Sequence, residues 1–359
     1  MMKRLLLITL ALWSLLGCKK DPITSYTQNT VPGGITRTVY VLNEGMFGHY
    51  ADSVSARLTL YDYNTKTVYK DIFENANNGQ HLGDTGDDMV LAGDRLFILM
   101  SNSKAITILH IPDYKLVNTA SFQSGSPHDL MYDAVRHRLF FTNFTGNTIT
   151  VLNDTSLSTV KEIQVGSNPE GLAIRNDKLF VCNSGFGADS TLSVINLNTL
   201  SVDTTLVLSM GPTSATVSSD GHIVIACAGN FTVNGSVYAI DPVTLAKTSK
   251  IQFSTNLFFN SGSITADTSG NVFVIGTVPN TYTGGPIHKI NLAAGLVFLN
   301  YCQGVFYGLS VNRYTNELFI ADAKNFTGDG VISIINPDGT IKEVFSAQRG
   351  PSVFAFRWQ

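Results

Sequence analysis

Two titratable residues, His128 and Glu170, stand at matching places in successive segments of the sequence, "SPHDL" and "NPEGL". An imidazole beside a carboxylate could act as general acid and base, so a lyase or lactonase reaction is one chemistry that these residue types allow. The seven histidines show no paired metal-ligand spacing, and no G-x-S-x-G nucleophile motif is present. These patterns favour ligand binding over turnover, with no metal or other cofactor expected.

The residues equivalent to His128 and Glu170 in the other segments predict a funnel. Seven segments each contain an apolar strand that should lie innermost, and the residue at its start should point into a central channel. Alignment puts these residues at Asp87, His128, Glu170, Thr213, Gly262, Tyr307 and Ser352. Side chains that differ at equivalent places are typical of a ligand-specific site. The alternative is a channel mouth whose polar groups contact only water.

Aromatic residues recur in the loops that should surround this funnel. The loops between the second and third strands carry them in six of seven segments, and the longest, "NEGMFGHYADS", carries three aromatic or imidazole rings. Apolar area concentrated on one face usually marks a binding site, although each ring could instead pack on a neighbouring segment. The predicted ligand-binding residues are Phe47, His49, Tyr50, His81, Asp87, His128, Phe144, Glu170, Phe186, Phe231, Phe259, Tyr282, Tyr307 and Phe326.

The elements that must position these residues come from an internal repeat. "SPHDLMYDAVRHRLFFTNFTGNTITVLN" aligns with "NPEGLAIRNDKLFVCNSGFGADSTLSVIN", and four further copies follow the same order of four strands. The period of about 40–45 residues is typical of propeller blades. The N-terminal copy lacks a first strand, and "GPSVFAFRW" at the C-terminus supplies one. We therefore predict an all-β, seven-bladed β-propeller over residues 38–359, its last blade closed by strands from both termini. An open β-solenoid, or six blades with extra strands, is the alternative.

The same residues carry a family resemblance. "KLFVCN" followed by "STLSVINLNTLSV" is similar to the repeats of YncE-like, YVTN-repeat propellers. "VYVLNEGMFG" followed by "ARLTLYD" resembles the Bacteroidetes surface lipoprotein propellers grouped as DUF5074. The resemblance covers residues 38–359. It implies a propeller at the cell surface, and relatives in this group capture cobalamin or siderophores.

The N-terminus predicts export and lipidation. Lys3 and Arg4 precede the apolar run "LLLITLALWSLL", and "LLGC" ends in Cys18, as in a bacterial lipobox. We expect residues 1–17 to be a signal peptide, Cys18 to be lipidated, and residues 18–37 to be a flexible tether. Because Lys19 follows the cysteine, the outer membrane is favoured. After cleavage 22 basic and 27 acidic residues remain without a long basic run, which argues against nucleic acid as a partner.

Together these features predict an outer-membrane lipoprotein, facing outside the cell, that captures a scarce nutrient. A corrinoid such as cobalamin is favoured, because a trianionic siderophore would require more basic residues than Lys104, Lys324 and Arg349 on the predicted face. A TonB-dependent transporter is the expected recipient. A protein–protein interaction module is the alternative, and a lyase or lactonase is the third possibility.

Overall fold

A computed structural model describes residues 26–28, 31, 35, 37–49, 52, 54–111, 113–230, 232–281 and 283–358. The predicted signal peptide and Cys18 lie outside the described residues, as does most of the predicted tether. The described chain forms seven sheets around a channel, as the repeat predicted. None of its helices is long and apolar enough to cross a membrane.

The first six blades, numbered in chain order, are four-stranded antiparallel sheets in which consecutive strands are neighbours. The strands of blades 1, 2 and 3 are β5 Gly86–Ala92, β6 Arg95–Met100, β7 Ala105–His110, β8 Leu116–Ser121, β9 Pro127–Asp133, β10 Arg138–Asn143, β11 Thr148–Asn153, β12 Thr159–Gln164, β13 Pro169–Arg175, β14 Lys178–Asn183, β15 Thr191–Asn196 and β16 Ser201–Val207. Those of blades 4, 5 and 6 are β17 Pro212–Val217, β18 Ile223–Cys227, β19 Ser236–Ile240, β20 Lys247–Gln252, β21 Ile264–Ala266, β22 Asn271–Thr277, β23 Gly284–Asn291, β24 Leu296–Cys302, β25 Gly308–Asn312, β26 Glu317–Asp322, β27 Asp329–Ile335 and β28 Ile341–Arg349.

Blade 7 contains strands from both ends of the chain. Its strands are β1 Tyr26–Gln28, β2 Arg37–Asn43, β3 Arg57–Asp62, β4 Thr67–Tyr69 and β29 Pro351–Trp358. The innermost strand, β29, pairs antiparallel with β2 from Trp358 opposite Arg37 to Pro351 opposite Asn43. This confirms the predicted closure, which leaves the ring without an open sheet edge between its ends.

The short strand β1 was not predicted. It runs parallel to β4, with Tyr26 opposite Thr67 and Gln28 opposite Tyr69. Because β4 runs toward the face on which β2 ends, Tyr26 lies at the opposite end of the blade. The chain therefore enters blade 7 from the face remote from the loops that follow the second strands.

The burial of the strands explains why the repeat can be recognised in the sequence. The second and third strands of each blade pack between neighbouring blades, so runs such as "RLFILM" in β6 and "AITILH" in β7 are buried almost throughout. Outer strands such as β12, "TVKEIQ", are mostly exposed and polar. Cys182, Cys227 and Cys302 lie in the buried interior as free thiols. Strands buried on both faces read as continuous apolar runs.

Three short segments interrupt the strands. Helix α1, Ile72–Ala76, follows β4, and two one-turn segments, Gly185–Gly187 and Lys324–Phe326, link β14 to β15 and β26 to β27. Both one-turn segments contain non-glycine residues with positive φ. They present Phe186 and Phe326 on the face that carries the second-to-third-strand loops.

Candidate ligand-binding site

A cavity of about 560 Å³ opens on the face formed by the second-to-third-strand loops and the links between blades. We call it the main cavity. Its volume falls within the range of small-molecule sites, roughly 300–1,000 Å³. It is lined by Glu44, Phe47, Thr85, Asp87, Ser101, Asn102, Lys104, Gly125, Ser126, His128, Phe144, Glu170, Phe186, Phe259, Asn260, Ser261 and Tyr307.

Three carboxyl groups, those of Glu44, Asp87 and Glu170, line the main cavity near His128. His128 Nδ1 lies 3.5 Å from Glu170 Oε2, joining blades 2 and 3. Burial alone would lower the pKa of His128, but Asp87, Glu170 and Glu44 outweigh it and raise that pKa to about 9. His128 is therefore a cation at neutral pH, and its charge is balanced by the adjacent carboxylates.

Glu44 enters this group from the loop after β2. Burial and the nearby Asp87 raise the pKa of Glu44 to about 8, although a hydrogen bond with Tyr307 opposes the shift. Burial also raises the pKa values of Asp87 and Glu170. Near pH 7 Glu44 is therefore mostly a neutral acid. Its carboxyl group can accept or donate a hydrogen bond to a ligand.

Two further carboxyl groups lie deeper in the channel and connect the inner strands. Asp88 Oδ2 accepts a hydrogen bond from the backbone N–H of Leu130, and Asp129 Oδ2 accepts one from Leu172. Burial raises the pKa of Asp88 to about 6, and it raises that of Asp129 further because Asp88 lies beside it. The two carboxyl groups hold adjacent blades in register below the main cavity.

Aromatic rings form one wall of the main cavity. The His128 ring stacks on Phe144, with ring centres 4.7 Å apart and planes 10° from parallel. Phe144 meets Phe186 edge-on at 6.4 Å, and Phe186 meets Phe259 at 5.1 Å. Phe186 nevertheless keeps 64% of its surface exposed. The row therefore offers ring faces to a ligand as well as to its own members.

The backbone at Phe186 is unusual for an aromatic residue. Its φ is 52° and its ψ is 42°, in the left-handed region that bulky side chains rarely adopt. The hydroxyl of Ser184 accepts a hydrogen bond from the Phe186 N–H and supports the turn. Backbone strain of this kind costs on the order of 1–3 kcal/mol and concentrates at functional sites.

A buried aspartate holds the loop that carries Phe47. Phe47 is 77% exposed at the rim of the main cavity. The next residue, Gly48, donates its N–H to both carboxylate oxygens of Asp84, at 3.2 and 3.0 Å. Asn102 and Thr85 also donate to Asp84, which is fully buried. Asp84 therefore fixes the rim loop against the link that leads into blade 1.

The structure brings together eight of the predicted site residues. They come from four blades and from two of the links between blades, and all line the main cavity. They are Phe47, Asp87, His128, Phe144, Glu170, Phe186, Phe259 and Tyr307. Two of the other channel positions predicted by alignment, Gly262 and Ser352, line a narrower part of the channel below. Thr213 is instead fully buried, and its hydroxyl donates to the carbonyl of Ala226. Direct contact between these residues and a ligand stays a prediction.

Three of the predicted site residues lie elsewhere. His49 Nδ1 lies 2.5 Å from Asp52 Oδ2 within its own loop, and His81 faces Glu74 at 3.9 Å near α1. Neither lines the main cavity, and Asp52 binds the His49 imidazole within its own loop. Phe326 lines a separate cavity beside Tyr307. Tyr50, Phe231 and Tyr282 lie outside the described residues.

Sequence reasoning missed several polar residues of the main cavity. Glu44 is part of the "NEG" stretch and could have been noticed as a carboxyl group next to the end of β2. The others are small polar residues without a distinctive motif: Thr85, Ser101, Asn102, Ser126, Asn260 and Ser261. Lys104 brings one positive charge to the rim. Among the described residues, no group of three or more His, Cys, Asp or Glu is arranged to hold a metal ion.

The fold and the cavity define the chain as a seven-bladed β-propeller with an open cavity, of the size of a small-molecule site, on one face. The family comparison is more specific. Residues 37–342 match the model of the family described as "Domain of unknown function (DUF5074)", so the chain belongs to that family. No curated protein matches the chain significantly.

Solved structures with the same fold have diverse names. A quinonprotein alcohol dehydrogenase-like protein from Bacteroides thetaiotaomicron has a TM-score of 0.67 at 15% identity, covering 88% of this chain and 78% of its own. Hydrazine synthase from Kuenenia stuttgartiensis has a TM-score of 0.63 at 18% identity, with coverages of 75% and 88%. A streptogramin B lyase has a TM-score of 0.57 at 14% identity, with coverages of 75% and 86%. At these identities the likeness shows the fold alone.

Proposed function

We propose that this protein is a cell-envelope propeller that captures a small nutrient molecule in the main cavity without transforming it. The observation that carries the proposal is one cavity in which a row of aromatic rings meets a group of carboxyl groups. Rings bind a flat or apolar surface, and the carboxyl groups accept hydrogen bonds. Rigid blades hold both in place before a ligand arrives, which limits the entropy lost on binding.

The charges favour a neutral ligand rich in hydrogen-bond donors. Glu44, Asp87 and Glu170 face the cavity, whereas Lys104 is the single Lys or Arg among the described residues that line it. The His128 imidazolium and Lys104 only balance the carboxylates, so a trianionic ferric siderophore would find no excess of positive charge there. A corrinoid, with a flat ring and many amide N–H groups, matches the arrangement better and remains the first candidate. A ferric siderophore is the second.

The place of the protein in the cell is part of the proposal. The lipobox-like "LLGC" supports lipidation of Cys18 and attachment to the outer membrane, with the propeller outside the cell. Tyr26 lies at the end of blade 7 opposite the main cavity. A tether that enters there leaves the cavity face free to receive the ligand and to pass it to a TonB-dependent transporter.

Catalysis is not part of the proposed function. A general base must be deprotonated near neutral pH, but the pKa of His128 is raised to about 9. Its imidazolium is also engaged with Glu170. The pair therefore acts as a structural and electrostatic element of the binding site.

A protein partner is the second candidate function. Met46, Phe47 and Phe186 are exposed on the cavity rim, at 44%, 77% and 64% of their surfaces. Exposed apolar residues grouped at a rim are typical of surfaces that bind another protein. The same rim could contact a transporter while a small molecule occupies the cavity.

Calorimetric titration with cyanocobalamin, and separately with a ferric tris-catecholate complex, tests the proposal. We expect cyanocobalamin to bind and Phe186→Ala to weaken it by about tenfold, as loss of a central aromatic contact does. Val135→Ala, at a turn exposed on the other face, is the matched control. If only the catecholate complex binds, the proposed ligand becomes a ferric siderophore and not a corrinoid. Absence of binding for both, with rim-dependent recovery of an outer-membrane protein, would support the interaction module instead.

A further inference from the structure

A second cavity of about 360 Å³ lies beside the main cavity on the same face, between blades 5 and 6. Three segments form it: the start of β23, the link between β24 and β25, and the one-turn segment after β26. Its lining residues are Thr283, Gly284, Val305, Phe306, Tyr307, Asp322, Ala323, Lys324, Asn325, Phe326 and Thr327. Tyr307 lines both cavities, so the two adjoin at one side chain.

The walls of the second cavity are aromatic and aliphatic. Phe326 meets Tyr307 edge-on, with ring centres 5.0 Å apart and planes at 88°. Phe306 is buried behind them, and Val305 remains 44% exposed at the mouth. Edge-on rings around an opening suit a further planar ring, which can stack on one and meet the edge of the other.

The charge of the second cavity differs from that of the main cavity. Its charged side chains, Lys324 and Asp322, form an ion pair at 2.7 Å, and the Lys324 N–H also donates to Asp322. The pair neutralises itself at the edge of the cavity. The occupant is therefore expected to be uncharged, in contrast to the donor-rich group favoured by the carboxyl groups of the main cavity.

The backbone around Phe326 repeats the device found at Phe186. Lys324, Asn325 and Phe326 have φ values of 51°, 55° and 58°, three successive non-glycine residues in the left-handed region. The Phe326 ring lies over Gly350, where a Cβ atom would come within 2.6 Å of it. Equivalent loops of two blades thus use strained turns to set a phenylalanine beside a cavity, and such strain is retained where surrounding structure or function requires it.

We propose that the second cavity is a subsite for an uncharged planar aromatic ring, and that the ligand of the main cavity reaches it across Tyr307. The proposal rests on the proposed function in one respect, namely that the main cavity holds a ligand. The ligand would then be bipartite, with a donor-rich part over Glu44 and a ring between Tyr307 and Phe326. Two adjoining sites joined by one molecule bind more tightly than either alone.

The probe for the ring subsite is 5-fluoroindole, titrated by ¹⁹F NMR against the full propeller. Binding in the millimolar range is expected for so small a ring. Phe326→Ala removes one ring, and Val305→Asp places a charge at the exposed mouth. Both should weaken binding at least about fivefold, because the first removes a ring contact and the second makes the probe desolvate a charge. Phe298→Ala, which removes an exposed ring on β24 that lines neither cavity, is the matched control and should change it by less than about twofold. Phe186→Ala reports any binding of the probe in the main cavity instead.

The outcomes separate the subsite from the proposed function. Cyanocobalamin is titrated against the same variants, and we expect Phe326→Ala to weaken its binding as well. If cyanocobalamin binds and Phe326→Ala leaves its affinity unchanged, the bridge across Tyr307 is wrong while the proposed function stands. If cyanocobalamin fails to bind but the binding of 5-fluoroindole depends on Phe326, the proposal of a corrinoid ligand is wrong and the proposal of the subsite stands. Absence of 5-fluoroindole binding, or dependence on Phe186 rather than Phe326, would overturn the subsite itself.

Discussion

The imidazole of His128 lies 3.5 Å from the carboxylate of Glu170, and the two residues belong to the innermost strands of neighbouring blades. The same imidazole stacks on Phe144, the first ring of the aromatic wall. One side chain therefore connects the ion pair to the apolar wall. A change in the charge of His128 should therefore affect both the stability of the propeller and the shape of the main cavity.

Replacing His128 by glutamine should destabilise the protein at neutral and lower pH, but not at about pH 10. Burial opposes protonation, but the nearby carboxylates raise the pKa of His128 to about 9, against about 6.5 in an unfolded chain. The imidazolium thus stabilises the fold fully below about pH 6.5, and this contribution disappears as the pH rises through about 9. We expect His128→Gln to melt a few degrees below the wild type near pH 6, and the gap to close toward about pH 10.

Thermal denaturation followed by circular dichroism across this range measures the effect. His137→Gln is the matched control, because the His137 side chain is 70% exposed. A gap that stays constant with pH would show that the ion pair contributes little, and that the loss comes from packing against Phe144.

Replacing Glu44 by glutamine should stabilise the protein at high pH. Burial raises the pKa of Glu44 to about 8, so the folded protein holds this proton more tightly than the unfolded chain does. Stability from this group is present below about pH 4.5 and is lost as the pH rises through about 8. We expect Glu44→Gln to melt above the wild type near pH 9 and close to it near pH 5. Equal melting temperatures at both pH values would mean that Glu44 titrates normally.

Most of the architecture could be predicted because the sequence repeats once per blade. Apolar second and third strands recur in each blade, and the C-terminal strand had no partner until it was matched with β2. Strand β1 escaped prediction because three residues of mixed polarity, "YTQ", carry no usable periodicity. Its pairing depends on the free edge of β4, which only the assembled blade reveals.

The sequence predicted the face of the propeller that carries the candidate site, but not which cavity each residue lines. The recurrence of aromatic residues in equivalent loops indicated which face would carry them. Whether a ring turns toward one cavity or the other depends on left-handed backbone at Phe186 and Phe326, which residue type does not disclose. The sequence pattern did not reveal that the His49 imidazole binds Asp52, which lies only three residues away, and that His49 therefore does not line the main cavity.

Replacing Asp84 by alanine should loosen the rim loop without unfolding the propeller. The Asp84 carboxylate accepts two hydrogen bonds from Gly48 and further ones from Asn102 and Thr85. Without it, the Gly48 N–H has lost its partner. We expect hydrogen exchange in residues 44–49 to accelerate by about tenfold or more, most of all at Gly48, because the tip of the loop is then held only through backbone hydrogen bonds of its neighbours. Exchange in β2 and β3 should stay slow.

Asp94→Ala is the matched control for the rim loop, because Asp94 lies in an exposed turn of blade 1. If Asp84→Ala leaves exchange at 44–49 unchanged, the loop is held by other bonds, such as that from Met46 to the carbonyl of Val54 at 2.7 Å.

Replacing Asn43 by alanine should cause one of the larger losses of stability in the molecule. This fully buried side chain donates to the carbonyls of Val41 and Arg57 and to the Thr59 hydroxyl. Its Oδ1 accepts from the backbone N–H of Gln348 in blade 6, so it fastens the closing blade to its neighbour. Removing it leaves several buried polar groups unpaired, each costing about 1–3 kcal/mol. We expect the free energy of unfolding in urea to fall by about 3 kcal/mol, near the upper end for single substitutions. Asn118→Ala, which removes only exposed hydrogen bonds with Thr155, Ser156 and the Thr119 N–H, should change it by less than about 0.5 kcal/mol. Equal losses for the two variants would show that the closing blade is held by the pairing of β2 with β29 alone.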